Sequence, residues 1–137
     1  MSSPIPPVKT VLLVEDNEDD VFLMQRLFKK AGITLPLQVV TDGKQAVDYL
    51  AGTPPYNDRT RYPLPHFLFL DLKLPYLKGF EILAWIRKQP QLEGIRVMIL
   101  TSSVEDQDRE KAEAFGVPYL VKPPTPEMVL KALQPAE

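Results

Sequence analysis

The chain has no cysteine, so it holds no disulfide and no thiolate metal site, and a reducing compartment is allowed. It has no run of about 18 apolar residues, the length a bilayer-spanning helix needs. Its opening, MSSPIPPVK, carries no apolar segment of a secretory signal. The expectation is a cytoplasmic protein with no membrane partner. A basic excess is missing too. The formal net charge of -2 gives no electrostatic case for nucleic acid. Histidine occurs once, as His66, after YPLP and before an apolar run, and reads as a loop-end residue rather than a phosphohistidine.

What is present describes one ordinary domain: 137 residues, 45% hydrophobic and 25% charged, long enough for a real core. Most of the 15 prolines cluster in the N-terminal tail, near 54–65 and near 118–126, as punctuation. The expected layout is a tail over 1–8 and a domain over 9–137, with an extended loop at 53–66.

TVLLV (10–14), FLFL (67–70) and RVMIL (96–100) are short apolar runs of buried-strand type, and LQVV (37–40) and YLV (119–121) are weaker ones. Helical patterns separate them. Asn17 is placed to cap a helix with acids at 18–20, apolar residues at Val21, Met24, Leu27, Phe28 and Ala31, and a stop at Gly32. Asp42 with Gln45 has capping-box spacing for a second helix burying Ala46, Val47 and Leu50. A third spans about 78–89. A fourth spans about 104–115, with Ser103 as its cap. A fifth starts at Thr125 with Pro126 in the first helical position. Strict alternation implies right-handed crossovers and a parallel sheet covered on both faces.

In such a sheet, ligands bind beyond the carboxyl ends of the strands. Those ends carry Glu15 and Asp16, Asp71, Thr101 and Ser102, and Lys122. Three anions within about 4–6 Å cost several kcal/mol unless a cation intervenes, and hard oxygen ligands suit Mg²⁺. Asp71 is then a nucleophile for phosphoryl transfer, with Mg²⁺, Lys122 and Thr101 sharing the charge. Taken singly, each residue has a plainer reading. Glu15 and Asp16 would be acids at a helix start, Asp71 a strand-end or loop cap, and Thr101 and Ser102 turn residues.

LLVEDNEDD (12–20), FLFLDLKLP (67–75), MILTSS (98–103) and YLVKPP (119–124), in this order, resemble the response-regulator receiver domain of two-component signalling over essentially the whole chain. The resemblance implies a five-stranded flavodoxin-like sheet of order 2-1-3-4-5 with five helices. It implies Asp71 as phosphoacceptor, and Asp16 as direct Mg²⁺ ligand with Glu15 joined through water. The backbone carbonyl of Lys73 would be a further ligand; its side chain either shields the phosphoryl group from water or points to solvent, and the second is the expectation. It also implies Thr101 and Lys122 on the phosphoryl group, Tyr119 as aromatic switch with Thr101, and a cis bond before Pro123.

The chain contains little beyond the receiver and most resembles the small stand-alone regulators that partner bacterial phytochromes. A sensor histidine kinase is therefore the implied phosphodonor, an unidentified downstream protein the target, and a homodimer through the fourth- and fifth-helix face the implied assembly. No turnover of an outside substrate is expected. The rival, a phosphohydrolase with an aspartyl nucleophile, resembles D-x-D at the strand end, and position 73 here is lysine. The other rival, a degenerate receiver, lacks the acceptor, acid pair or lysine, and all are kept. The fourth helix offers only Ala112, Ala114 and Phe115 to a core and should be loosely held. The 53–66 loop, with Tyr56, Tyr62, Arg59 and Arg61, is expected to dock a partner or a second copy.

Overall fold

In a computed structural model of the chain, which describes residues 9–134, the two all-apolar runs lie at the middle of the sheet. β1 (Val11–Val14) and β3 (Phe67–Leu70) are buried at every position and pair with each other. The weaker runs are the edges: β2 (Leu37–Val40) beside β1, and β5 (Tyr119–Val121) beside β4 (Arg96–Thr101). All pairings are parallel and the order is 2-1-3-4-5. An edge strand needs fewer apolar residues because half of it meets solvent, which is why these two runs read weakly. The tail expected over 1–8 lies outside the described residues.

Side chains alternate across the strands, so the sheet divides two apolar layers. Leu12, Val14, Leu68, Leu70 and Ile99 pack with Ala46, Tyr49 and Leu50 of α2 (Gly43–Ala51) and Ile82, Leu83 and Ile86 of α3 (Gly79–Arg87). Leu13, Phe69, Met98 and Leu100 pack with Met24 and Phe28 of α1 (Glu18–Lys30) and Val129 and Ala132 of α5 (Pro126–Ala132). No helix among the described residues is long and apolar enough to cross a membrane.

Three caps follow the sequence reading. Asn17 accepts a hydrogen bond from the Asp20 backbone N–H (3.0 Å), Asp42 from Gln45 N–H (2.7 Å) and Thr125 from Met128 N–H (3.1 Å). Gln45 does not close the box on Asp42, however. Its Oε1 accepts from the N–H of Thr41, one residue earlier (2.9 Å). α3 ends two residues sooner than expected, and a 3₁₀ turn, Pro90–Leu92, follows. α4 starts at Asp106 and runs to Phe115, and Ser103 is not its cap; Glu105 holds that position without a side-chain bond. Of its residues only Ala112 is buried. Phe115 adds a stacked contact with Phe80 at 5.9 Å.

The 53–66 segment is a packed cover rather than a free loop. Tyr49, which the helical pattern did not single out, is fully buried, and its hydroxyl donates to Pro63 O (2.9 Å). Tyr56 and Tyr62 close on it and on each other at 5.1–5.9 Å between rings. Arg59 donates to the carbonyls of Tyr49 (2.8 Å), Leu50 (3.0 Å) and Tyr62 (3.1 Å). It therefore adds a donor to the Tyr49 carbonyl, which also accepts from Gly52 N–H (3.2 Å). It adds another to the Leu50 carbonyl in the last turn of α2, tying that end of the helix to the segment. Of the side chains expected to meet a partner, Tyr56, Tyr62 and Arg59 are committed inward.

Burial raises the Tyr49 phenol to about 12 from its ordinary 10, so the folded chain holds that proton longer than the unfolded chain does. The associated stability is fully present below pH 10 and is lost as pH rises through 12. A difference of that size corresponds to about 3 kcal/mol. Urea unfolding across this alkaline range should show the loss, and Tyr49→Phe should flatten it. An unchanged alkaline slope in that variant would remove Tyr49 as the cause.

Candidate functional site

The carboxyl ends of β1, β3 and β5 meet at one edge because β1 and β3 are neighbours and the β5–α5 loop returns over them. Lys122 is the first residue past β5, and its peptide bond to Pro123 is cis. Its ammonium donates to Glu15 Oε1 (2.6 Å), Asp20 Oδ2 (2.8 Å) and Asp71 Oδ2 (3.0 Å). An ammonium has three N–H donors, and each one here has its own carboxylate.

The oxygens are held from behind as well. Glu15 Oε2 accepts from the N–H of Asn17 (3.1 Å), and Asp71 Oδ1 from the N–H of Leu72 (2.7 Å). Gly79 closes the loop after Asp71 by donating its N–H to Leu72 O (3.0 Å), and a Cβ there would collide with the Asp71 carbonyl oxygen. Only glycine lets the start of α3 sit so close to the site.

Burial pushes the Glu15 carboxyl above its ordinary range; the bond from Lys122 opposes that and the Asp71 charge adds to it. Burial also pulls against the charged form of Lys122, but its bonds to Asp20 and Glu15 and the field of Asp71 outweigh this, and its pKa stands above the ordinary value. Both partners thus shift upward. Glu15 has one cation to offset its burial, whereas Lys122 has three anions.

Glu15, Asp16 and Asp71 can each offer an oxygen with all three within 4.8 Å of one another. Glu15 and Asp71 are buried and Asp16 is exposed, so the group opens to solvent on one side. Hard anionic oxygens at that spacing fit a small divalent cation such as Mg²⁺ with waters completing its shell. The Lys73 side chain is exposed, and its backbone N–H lies 3.5 Å from Asp71 Oδ1.

Thr101 and Tyr119 belong to an adjoining network. Thr101 is fully buried at the end of β4, and its Oγ1 accepts from the N–H of Ser103 (3.2 Å). Tyr119 donates its hydroxyl to Ser103 O (2.8 Å), with the Arg109 guanidinium 4.9 Å from its ring centre. Ser103 is the junction. Its own hydroxyl donates to Asp108 of α4 (2.6 Å) and accepts from Glu105 N–H (3.3 Å). The structure brings Glu15, Asp16, Asp71 and Lys122 together directly, and ties Thr101 to Tyr119 through Ser103.

Two residues of this edge escaped the sequence reading: Asp20 and Ser103. Asp20 had a signal. It is the third residue after the Asn17 cap, a position one turn above the Glu15–Asp16 pair. Ser103 was noticed, but its hydroxyl reaches into the first turn of α4 instead of capping it.

Residues 11–134 match the family described as response regulator receiver domain. The chain is 38% identical over 114 residues to the protein described as probable methanogenesis regulatory protein FilR2 of Methanothrix harundinacea, covering 82% of this chain and 71% of that protein. It matches the bacteriophytochrome response regulator AtBRR with a TM-score of 0.82 and 37% identity, over 94% of this chain and 92% of the other. It matches the Mn²⁺-bound form of response regulator Rcp1 with a TM-score of 0.77 and 32% identity, over 90% and 88%.

Proposed function

The chain belongs to the family of response regulator receiver domains, and on that footing we propose that it is a Mg²⁺-dependent phosphoacceptor switch with Asp71 as the acceptor. The observation that carries this reading is that the Asp71 carboxylate accepts from the Lys122 ammonium (3.0 Å) and, with Glu15 and Asp16, belongs to a trio of oxygens within 4.8 Å of one another, fit for one divalent cation. The Mn²⁺-bound form of Rcp1 supports the cation by likeness.

Asp71 attacks the phosphorus of a phosphohistidine on a sensor histidine kinase. The new bond joins a carboxylate oxygen to phosphorus, and the P–N bond breaks with its electron pair returning to the imidazole. Glu15, Asp16, Asp71 and the Lys73 carbonyl would hold a Mg²⁺, which when bound would neutralise charge on the transferring phosphoryl oxygens. Lys122 donates to the same oxygens from the other side. Thr101 breaks its bond to Ser103 N–H and turns its hydroxyl to the phosphoryl group, which releases the loop that Tyr119 and α4 share. The phosphorylated chain then favours one arrangement of α4, β5 and α5 and changes its affinity for a downstream protein, or for a second copy of itself. Slow hydrolysis at Asp71 resets it. Likeness to AtBRR makes a phytochrome-type kinase the proposed donor.

Incubation with acetyl phosphate and Mg²⁺, followed by intact mass, tests the reading. One phosphoryl group is the expected gain, with none when the cation is chelated. A chain that stays unmodified while a known receiver is labelled in the same tube would overturn it.

A further inference from the structure

Asp20 has no part in the oxygen trio that could share a cation, yet its Oδ2 takes one of the three donors of Lys122 at 2.8 Å. Its neighbours Glu18 and Asp19 are exposed, whereas Asp20 is half-buried and turned back over the site. We propose that Asp20 is a positioning residue that draws the Lys122 ammonium aside, so that a divalent cation can take the oxygens of Glu15 and Asp71. The proposal rests on the reading of the site as a cation site.

The conflict it resolves is visible in the distances. Lys122 sits on Glu15 Oε1 at 2.6 Å and on Asp71 Oδ2 at 3.0 Å, and both residues are members of the trio. An ammonium and a divalent cation compete for those oxygens and repel each other. With no third anion, each step of cation entry would leave the half-buried ammonium with fewer partners. Asp20 changes that balance, because its carboxylate stays with the ammonium while the other two are recruited.

Two features keep Asp20 available for this. It stands in the first turn of α1, where the helix dipole favours a negative charge, and its backbone N–H is already bound by Asn17. There is also room on its side. A cavity of about 240 Å³ lies against Glu15, Asp20 and Lys122, walled by Leu23, Met24 and Pro123 among others. That open volume adjoins both the ammonium and the Asp20 carboxylate that already holds it.

Mg²⁺ titration by calorimetry, with no phosphodonor present, tests this directly. Asp20→Asn should weaken Mg²⁺ binding by about fivefold, a coupling of ordinary size for charges in one network. Asp19→Asn removes the same charge from the same helical turn without touching Lys122, and should change binding less than about twofold. In a Lys122→Met background, Asp20→Asn should have no further effect, since the competitor is gone. Asp20→Glu should restore most of the affinity. Equal losses in Asp20→Asn and Asp19→Asn would reduce the effect to plain charge attraction and overturn the proposal, even if Lys122→Met does not fold. Wild-type chain that binds no Mg²⁺ at millimolar concentration would instead bring down the cation site itself.

Discussion

Asp71→Asn protein, given acetyl phosphate and Mg²⁺, should keep its unmodified mass while the wild-type chain gains one phosphoryl group. An amide does not attack phosphorus, so the expected loss is complete rather than partial. The fold should survive the change. The substituted side chain keeps an acceptor for Leu72 N–H, now 2.7 Å from Asp71 Oδ1, and Lys122 keeps Glu15 and Asp20. Removing the Asp71 charge also relieves Glu15, whose carboxyl it helps push upward. The variant should therefore unfold close to wild type, the relief at Glu15 set against the lost pair between Asp71 and Lys122. A phosphoryl adduct that persists in Asp71→Asn would place the acceptor elsewhere. A variant that fails to fold would remove the stated account of the local bonds.

Lys122→Met should have the largest effect on stability. Glu15 is 2% exposed, and Lys122 is the one cation bonded to it among the described residues. Taking away one partner of a buried pair leaves an uncompensated charge, at a cost of about 3 kcal/mol. The pH dependence has a definite sign. A carboxyl with a folded pKa above its unfolded value contributes stability below that unfolded value and loses it as pH rises through the folded one. Glu15 is already raised from 4.5, and losing Lys122 raises it further. The deficit should be greatest at neutral pH and shrink on acidification toward the unfolded value. Mg²⁺ should restore more stability to this variant than to wild type, because nothing competes for the trio. Phosphorylation by acetyl phosphate should slow by about a hundredfold, the usual effect of one lost donor to a developing anion. Urea midpoints across pH and labelling time courses would check both. Wild-type stability at neutral pH would show that Glu15 is not held as a buried anion.

Much of this was legible because the deciding forces are local. A buried strand must be apolar on both faces, and FLFL and TVLLV declared themselves for that reason. Caps at Asn17, Asp42 and Thr125 act over three residues, so short spacings expose them. The acid pair, Asp71, Thr101 and Lys122 stood at strand ends, and a parallel sheet converts strand ends into one edge. What stayed hidden depends on partners far apart in sequence. Asp20 meets Lys122 across 102 positions, and its place one turn above the acid pair marks it no more than any acid in the first turn of a helix. Tyr49 looked like one helical residue among several until the 53–66 segment folded over it. Ser103 carried the residue type of a cap at the right distance. Its competing use, a link to Asp108 and to the hydroxyl of Tyr119, exists only once α4 and β5 are in place.

The single buried residue of α4 has a consequence for sensitivity. A helix seated by Met24 and Phe28, as α1 is, resists any perturbation worth one hydrogen bond. A helix held by the buried methyl group of Ala112, the Phe115–Phe80 stack and the Ser103–Asp108 bond has far less to resist with. One net hydrogen bond gained or lost at the Thr101–Ser103 joint, about 1 kcal/mol, rescales the ratio of two α4 arrangements roughly fivefold. On the proposed reading, thrift in the packing of that helix would let a change at a single oxygen atom be read across a whole face of the molecule.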